Sequence, residues 1–96
     1  MAEAEIEVRN PSGLHARPAA TFVRAAGGFV ADVRVTNLTR DAEKDASAKS
    51  VLGVMGLGVA RGHRIRLAAE GPDADAAVAS LVDLVGSGLG EELDGA

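Results

Sequence analysis

The residues with the clearest potential for chemistry lie together in the segment Gly13-Leu14-His15-Ala16-Arg17-Pro18. Because proline is tolerated in the first turn of a helix but not in its interior, Pro18 predicts a helix that begins around His15. The first backbone N–H groups of a helix have no intrahelical acceptor, and together with the helix dipole they stabilise an anion. Arg17 would add a fixed positive charge two residues further on. A large share of imidazole is unprotonated and nucleophilic at neutral pH, so His15 is suited to carrying a phosphoryl group on its ring.

The alternative for this segment is a structural role, in which a histidine lies near a helix start and Arg17 is solvated. The chain has one other histidine, His63, and no cysteine. Two histidines without ligand spacing do not indicate a metal site, and no motif supports Ser-His-Asp or Cys-His catalysis. We therefore expect no metal and no cofactor, and we interpret His63 as an ordinary residue at the start of a strand.

The composition predicts one small domain spanning residues 1–96, since the chain has 96 residues, of which 47% are hydrophobic and 25% charged. The absence of cysteine suits a reducing compartment, and no stretch approaches the roughly 18 apolar residues of a membrane span. The first residues have neither the basic start nor the apolar run of a signal peptide, so we expect a cytoplasmic protein. A net charge of −4 and only two aromatic residues, both Phe, argue against a nucleic-acid binder.

Hydrophobic periodicity predicts seven elements in the order β-α-β-β-α-β-α. Apolar and charged side chains alternate in residues 4–8, which indicates a first strand that ends at the turn residues 10–13. An apolar stripe at helical spacing runs through Ala16–Gly27, and Gly27-Gly28 would end this helix. Residues 33–35 alternate as a second strand.

The middle of the chain gives weaker patterns. We place a polar third strand within residues 38–46, where it would form a short edge of the sheet because the segment has little β propensity. Ser50 stands directly before an apolar run and is predicted to be the N-cap of a short helix, which Gly53 and Gly56 weaken.

The last two elements are well marked and complete the predicted fold. Residues 65–69 alternate as a fourth strand, and an amphipathic helix spans residues 74–85, with Asp73 and Asp75 at the positive end of its dipole. Alternating strands indicate a sheet with one solvated face, so we predict an α+β fold. It is an open-faced two-layer β-sandwich, with a four-stranded antiparallel sheet and three helices on one face. The ordered core would span residues 4–86, and the glycine-rich tail would fray.

Several segments follow one another in a fixed order, and at these segments the chain resembles a known family. They are Asn10-Pro-Ser-Gly-Leu-His-Ala-Arg-Pro-Ala-Ala20, Phe22-Val-Arg24, Ala46-Ser-Ala-Lys-Ser-Val-Leu-Gly-Val-Met-Gly-Leu-Gly58 and Ala69-Glu-Gly71. The series resembles HPr, the histidine-containing phosphocarrier of the bacterial phosphoenolpyruvate-dependent sugar phosphotransferase system. The resemblance runs from Ile6 to Val85 and implies the family fold, an open-faced β-sandwich, in agreement with the fold predicted from periodicity.

The resemblance implies a carrier rather than an enzyme with turnover of its own. His15 matches the family histidine that accepts a phosphoryl group on Nδ1 from phosphorylated enzyme I and passes it to enzyme IIA domains for sugar uptake. Arg17 matches the arginine that steadies the phosphoryl group during transfer, and Pro18 matches the residue that shapes the helix start.

Further positions match the regulatory and docking residues of the family. Ser50 matches a serine that a dedicated ATP-dependent kinase phosphorylates in some bacteria, although an N-cap explains this residue fully. Leu52 and Met55 match an exposed apolar docking patch beside the histidine, with Arg24 and Lys49 on its rim. The alternative is that both apolar side chains belong to the core.

The sequence departs from the family pattern in an irregular, charged hairpin at residues 37–45 and at Gly56, where Ser or Thr is common. Arg64 and Arg66 are interpreted as part of a solvated sheet face. The expected partners are enzyme I, enzyme IIA domains and an HPr serine kinase, and we expect a monomer that neither binds nucleic acid nor inserts into a membrane.

Two other functions fit parts of the pattern. A specialised branch of the same system, either the dihydroxyacetone kinase branch or the nitrogen-type branch, would use a similar carrier. A ferredoxin-like module that binds a small regulatory ligand has the same order of elements, but it would not need His15.

Overall fold

The computed structural model describes residues 1–91, which form seven elements in the predicted order. No helix within these residues is long and apolar enough to cross a membrane. The elements are β1 (Ala2–Glu7), α1 (Ala16–Gly27), β2 (Asp32–Asn37), β3 (Asp45–Ser47), α2 (Val51–Gly56), β4 (Arg64–Glu70) and α3 (Ala74–Gly86).

The four strands form one antiparallel sheet in the spatial order β1-β4-β2-β3. Along the central strand β4, Ile65, Leu67 and Ala69 are buried and alternate with more exposed residues. This alternation buries one face of the sheet beneath the helices. The other face is open, and there Arg64 pairs with Glu5 of β1 at 3.8 Å. The predicted open-faced α+β sandwich is confirmed.

The core lies between the sheet and the helices and is built from aliphatic side chains around Phe22, the largest of the fully buried residues. Both predicted helical stripes are the buried faces of their helices. α1 contributes Pro18, Ala19, Phe22 and Ala26, and α3 contributes Ala74, Ala77, Val78, Leu81 and Val85.

The third strand is an edge strand as predicted, but its placement within residues 38–46 is wrong for most of that interval. Residues 38–44 form turns and connecting segments, and the strand spans only Asp45–Ser47. The reason lies at Asn37, whose side-chain oxygen accepts hydrogen bonds from the next turn's backbone N–H groups at 3.1 and 3.2 Å and reverses the chain. The short strand pairs with β2, and an exposed ion pair between Arg34 and Asp45 at 3.2 Å also joins the two strands.

Residues 87–91 belong to the glycine-rich tail that is predicted to fray, and the structure describes them in contact with the rest of the domain. Leu89 is only 2% exposed, and Glu91 forms hydrogen bonds with residues near the start of the chain. Ordered structure also begins at Ala2 rather than at residue 4. The rest of the predicted frayed tail, residues 92–96, lies outside the described residues.

Candidate functional site

The site is built on the N-terminus of α1, where His15 is the N-cap residue, as the position of Pro18 predicts. His15 has an extended backbone with φ −125° and ψ 149°, is exposed, and makes no capping hydrogen bond with its side chain. Ala16 follows with φ 49°, in the left-handed region that L-residues rarely adopt. A left-handed residue joined to a right-handed one turns successive N–H groups toward a shared concavity that favours anions. The imidazole therefore stands beside uncapped donors.

The turn before His15 is fixed by backbone contacts with the segment that follows α2. The N–H of Gly13 donates to the Asn10 carbonyl at 3.1 Å, and the N–H of Leu14 donates to the Val59 carbonyl at 3.1 Å. Gly13 has φ +59°, and a Cβ at this position would collide with the carbonyl of Val59. Leu14 is fully buried. These contacts anchor the chain directly before His15, and His15 itself is exposed.

Arg17 and Arg24 are both exposed on α1. Seven residues separate them, which is two helical turns, so they share one side of the helix about 10 Å apart. Arg17 also lies within electrostatic reach of the Glu91 carboxylate. The structure thus gives α1 a basic stripe that starts two residues after His15.

Ser50 is the N-cap of α2, as predicted, and its Oγ accepts a hydrogen bond from the Gly53 N–H at 3.0 Å. A Cβ on Gly53 would lie 3.1 Å from that same oxygen and 3.3 Å from the Ala46 Cβ. A glycine therefore suits this place because it lets the short helix close tightly over its cap.

The outer side of α2 is apolar. Leu52 is 84% exposed and Val51 is 38% exposed, whereas Met55 is half-buried and packs against the core. The sequence leaves open whether Leu52 and Met55 are an exposed patch or part of the core. Leu52 is exposed, whereas Met55 is exposed only in part. α2 contacts α1, and the segment that follows α2 reaches the turn before His15 through the hydrogen bond between Leu14 and Val59.

Lys49 directly precedes the Ser50 cap, but its side chain points away from His15. Its Nζ donates to the Phe29 carbonyl at 2.7 Å, just beyond the C-terminal end of α1. α1 has 12 residues and is therefore about 18 Å long, with His15 at its other end. Lys49 stands at the edge of the α2 surface that is remote from the histidine.

His63 is committed to a structural network, whereas His15 is not. The Nδ1 atom of His63 accepts the Ala60 N–H at 3.2 Å and lies 3.1 Å from the Asn37 amide nitrogen. Because a backbone N–H can only donate, Nδ1 is an acceptor and the ring proton of neutral His63 sits on Nε2. Asn37 is 1% exposed and also donates to the Leu57 carbonyl at 3.1 Å, so the network ties the end of α2 to the start of β4.

Sequence reasoning missed Glu91, which reaches the turn before His15 from the other end of the chain. Its carboxylate accepts hydrogen bonds from the Asn10 amide at 2.9 Å, the Ser12 N–H at 3.0 Å and the Ser12 hydroxyl at 2.8 Å. The hydrogen bond from Asn10 and those from Ser12, with the nearby charge of Arg17, hold the pKa of Glu91 below its usual value. Asn10 also donates to the Gly13 carbonyl at 2.9 Å, so one amide links the turn and the tail.

Nothing in the local pattern around Glu91 indicates this contact, which joins residues 81 positions apart. The sequence likewise offers no signal for the left-handed conformation of Ala16, because alanine favours right-handed helix. No cluster of three or more potential metal ligands occurs among residues 1–91.

Comparison with known proteins identifies the family. A family model described as "PTS HPr component phosphorylation site" matches residues 2–87. The phosphocarrier protein HPr of Vibrio cholerae is 44% identical over 85 residues, which cover 88% of this chain and 95% of that protein. A multiphosphoryl transfer protein of Haemophilus influenzae is 45% identical over 86 residues, covering 90% of this chain. The chain spans only 17% of that relative's length, and 23% of a multiphosphoryl transfer protein of Escherichia coli O157:H7.

Solved structures agree. An HPr structure from Thermoanaerobacter tengcongensis superposes with a TM-score of 0.88 and 46% identity, covering 97% of this chain and all of that one. An HPr from Bacillus anthracis str. Ames gives a TM-score of 0.79 at 36% identity, covering 85% of this chain and 93% of that one. On sequence and fold together, the chain belongs to the HPr family of phosphocarriers of the phosphotransferase system.

Proposed function

We propose that His15 accepts a phosphoryl group from phosphorylated enzyme I and passes it to an enzyme IIA domain, so that the chain carries the group without turnover of its own. The observation that supports this most strongly is the exposed His15 ring at the N-terminus of α1, with no capping hydrogen bond of its own. Family membership favours a carrier over a small-ligand-binding module. The branch of the system that the chain serves, sugar uptake or a specialised one, stays a prediction.

The transfer requires few groups from this chain. The lone pair on the Nδ1 atom of His15 attacks phosphorus and a P–N bond forms, while the bond between phosphorus and the donor atom of enzyme I breaks and its electron pair returns to that atom. The uncapped N–H groups at the start of α1 face the phosphoryl oxygens and offset their negative charge. The guanidinium of Arg17 presents a planar set of donors to the same oxygens. The reverse sequence delivers the group to the acceptor.

Labelling from phosphoenolpyruvate in the presence of enzyme I tests the proposal. We expect one phosphoryl group per chain, labile to acid and stable to base as a phosphoramidate is. His15→Ala should remove the label and leave the fold intact, whereas the matched control His63→Gln should keep the label. Label that persists in His15→Ala, or an acid-stable label, would refute the assignment of His15.

We also propose that Leu52 and Met55 form the centre of the docking surface for both partners. Arg17 and Arg24 border it along α1, and Lys49 lies at the edge remote from His15. An apolar centre with a basic rim fits acidic partner surfaces, where rim charges act mainly on the association rate. Transfer at subsaturating partner should therefore slow as salt rises, because exposed charges are screened over about 8 to 10 Å.

Leu52 and Val30 make a matched pair for testing this surface, since they are 84% and 77% exposed but Val30 lies in the α1–β2 connection. Leu52→Ser should weaken transfer about fivefold or more through a higher KM, as removal of an interface anchor does. Val30→Ser should leave transfer unchanged. Equal behaviour of the two variants would contradict the docking surface without touching the role of His15.

Finally, we propose that Ser50 is a phosphorylation site through which a serine kinase regulates the carrier. The hydroxyl lies at the exposed start of the same apolar helix, where a phosphate would meet the positive end of the helix dipole.

A further inference from the structure

The Glu91 carboxylate is held on the turn that leads into His15 by a complete set of donors. One oxygen accepts from both the Asn10 amide and the Ser12 N–H, and the other accepts from the Ser12 hydroxyl. A backbone N–H, a hydroxyl and an amide are the groups with which proteins commonly bind an oxyanion. The carboxylate thus occupies anion-binding donors three residues before the proposed phosphoryl acceptor.

The chain after α3 adopts a costly conformation to bring Glu91 to this place. Gly88, Leu89 and Gly90 have φ values of 96°, 54° and 88°, three consecutive residues in the left-handed half of conformational space. For Leu89 this conformation is unfavourable, and it persists only where the surroundings fix it. The Leu89 side chain is buried in the core, with 2% exposure, and Glu91 is hydrogen-bonded to Ser12. These contacts on either side of the segment fix its conformation.

The charge of Glu91 acts on the same positive region that a phosphoryl group would use. The hydrogen bonds from Asn10 and Ser12, and to a smaller extent the charge of Arg17, lower the pKa of Glu91, so the carboxylate is ionised at neutral pH and interacts with that guanidinium. A phosphoryl group on His15 would bring nearly two further negative charges beside it. The two anions repel each other and share the available positive charge.

We propose that Glu91 is a positioning residue that holds the Asn10–Ser12 turn, and that its carboxylate destabilises phosphorylated His15 and so raises the phosphoryl transfer potential of the chain. The proposal rests on the proposed function of His15. In this proposal Glu91 shifts the equilibrium between phosphorylated and free chain, and it takes no part in the chemical step of transfer.

The test measures the equilibrium between phosphorylated and free chain with enzyme I at a fixed ratio of phosphoenolpyruvate to pyruvate. Glu91→Gln keeps an oxygen that can accept from the turn but removes the charge. It should raise the ratio of phosphorylated to free chain about three- to tenfold, the size expected when one charge near a dianion is removed in a largely aqueous setting. The increase should shrink as salt is added. The control Glu43→Gln removes the same charge from the exposed hairpin after β2 and should leave the ratio unchanged.

The outcomes separate the two proposals. If the wild-type chain accepts no phosphoryl group, the proposed function fails and this one fails with it. If the wild-type chain is phosphorylated but Glu91→Gln gives an equal or lower ratio of phosphorylated to free chain, the carboxylate has only a structural role. The role is also only structural if Glu91→Gln and Glu43→Gln raise this ratio equally, since the change in net charge would then explain the effect.

Discussion

Helices α1 and α2 both begin on an exposed polar residue with an extended backbone, His15 at φ −125° and Ser50 at φ −114°. At α2 the Ser50 hydroxyl accepts the Gly53 N–H, so the side chain stabilises its own helix. At α1 the histidine makes no such bond, and the next residue, Ala16, is in a left-handed conformation. We call the start of α2 at Ser50 the closed start, because its side chain caps the helix, and the start of α1 at His15 the open start, because its side chain makes no capping bond.

The difference shows how one small fold divides stability from function. A capping hydroxyl contributes about 0.5 to 2 kcal/mol to stability, and α1 forgoes this contribution. Strained or uncapped positions persist where the rest of the structure determines them, and they concentrate at functional sites. Here buried Leu14 before His15 and buried Pro18 after it determine the backbone, which leaves the N–H donors of α1 for a ligand.

The open start should be most sensitive at Gly13. Gly13→Ala combines a left-handed backbone with a collision against the Val59 carbonyl, so it should lower the free energy of unfolding by about 2 kcal/mol or more and slow phosphorylation of His15. Urea denaturation and enzyme I-dependent labelling measure the two effects.

The control for this variant is Gly27→Ala at the C-terminal end of α1, where a Cβ meets nothing within 4 Å. It should leave stability unchanged or raise it by about 0.5 to 1 kcal/mol. A Gly13→Ala protein as stable as Gly27→Ala would show that the turn adapts and does not fix the histidine.

These two helix starts also show what sequence can and cannot predict. Pro18 and Ser50 are informative because their preference is local, set by a missing donor in one case and a capping hydroxyl in the other. The left-handed Ala16 follows a turn that is fixed by tertiary contacts of Gly13 and Leu14 with Val59, and no local pattern encodes such contacts. The contact of Glu91 depends on a chain reversal 81 residues from its partner, and β3 depends on pairing with β2 rather than on β propensity.

A negative charge at the closed start should separate docking from folding. Ser50→Asp retains an N-cap acceptor, so the fold should persist, but its carboxylate stands beside Leu52 on the proposed docking surface. Transfer from enzyme I at subsaturating concentration should fall about tenfold through weaker binding. Ser80→Asp adds the same charge at an exposed position of α3 and should transfer normally. Wild-type transfer by Ser50→Asp would leave Ser50 as a structural cap alone.

Removal of the cap itself should affect stability and leave transfer unchanged. Ser50→Ala leaves the Gly53 N–H without its acceptor and should lower the free energy of unfolding by about 0.5 to 2 kcal/mol. Phosphorylation of His15 should proceed at the wild-type rate. If the rate of transfer fell together with the free energy of unfolding, α2 would have to be ordered for docking. The starts of both helices would then be needed for function.

At position 16, in the open start, glycine should give a more stable protein than alanine. Ala16→Gly removes the penalty of a left-handed Cβ, about 1 to 2 kcal/mol, and adds back part of it as chain entropy, so stability should rise by about 0.5 to 1 kcal/mol. Ala20→Gly, in the same helix, should lower stability by about 1 kcal/mol. Thermal and urea unfolding of the pair should therefore give opposite signs, and equal losses would refute strain at Ala16.

The third helix start extends the comparison, because Asp73 caps α3 in sequence but directs its carboxylate elsewhere. Its two oxygens accept the N–H groups of Val30 and Ala31, each at 2.8 Å, and these bonds, that of Val30 first, lower the pKa of Asp73. A pKa lower in the folded than in the unfolded chain contributes stability that is present above the unfolded pKa and lost as pH falls through the folded one.

Wild-type stability should therefore decline more steeply than that of Asp73→Asn between about pH 5 and pH 3, since Asn cannot titrate. Asp45 and Glu91 also have lowered pKa values, but they are present in both proteins, so the difference between the two curves isolates Asp73. The effect should be the smallest of the series because the carboxylate is only partly shielded from water. Parallel curves would show that the bonds to Val30 and Ala31 do not discriminate the charged carboxylate from a neutral amide, and that the α1–β2 connection is held by Lys49 and packing instead.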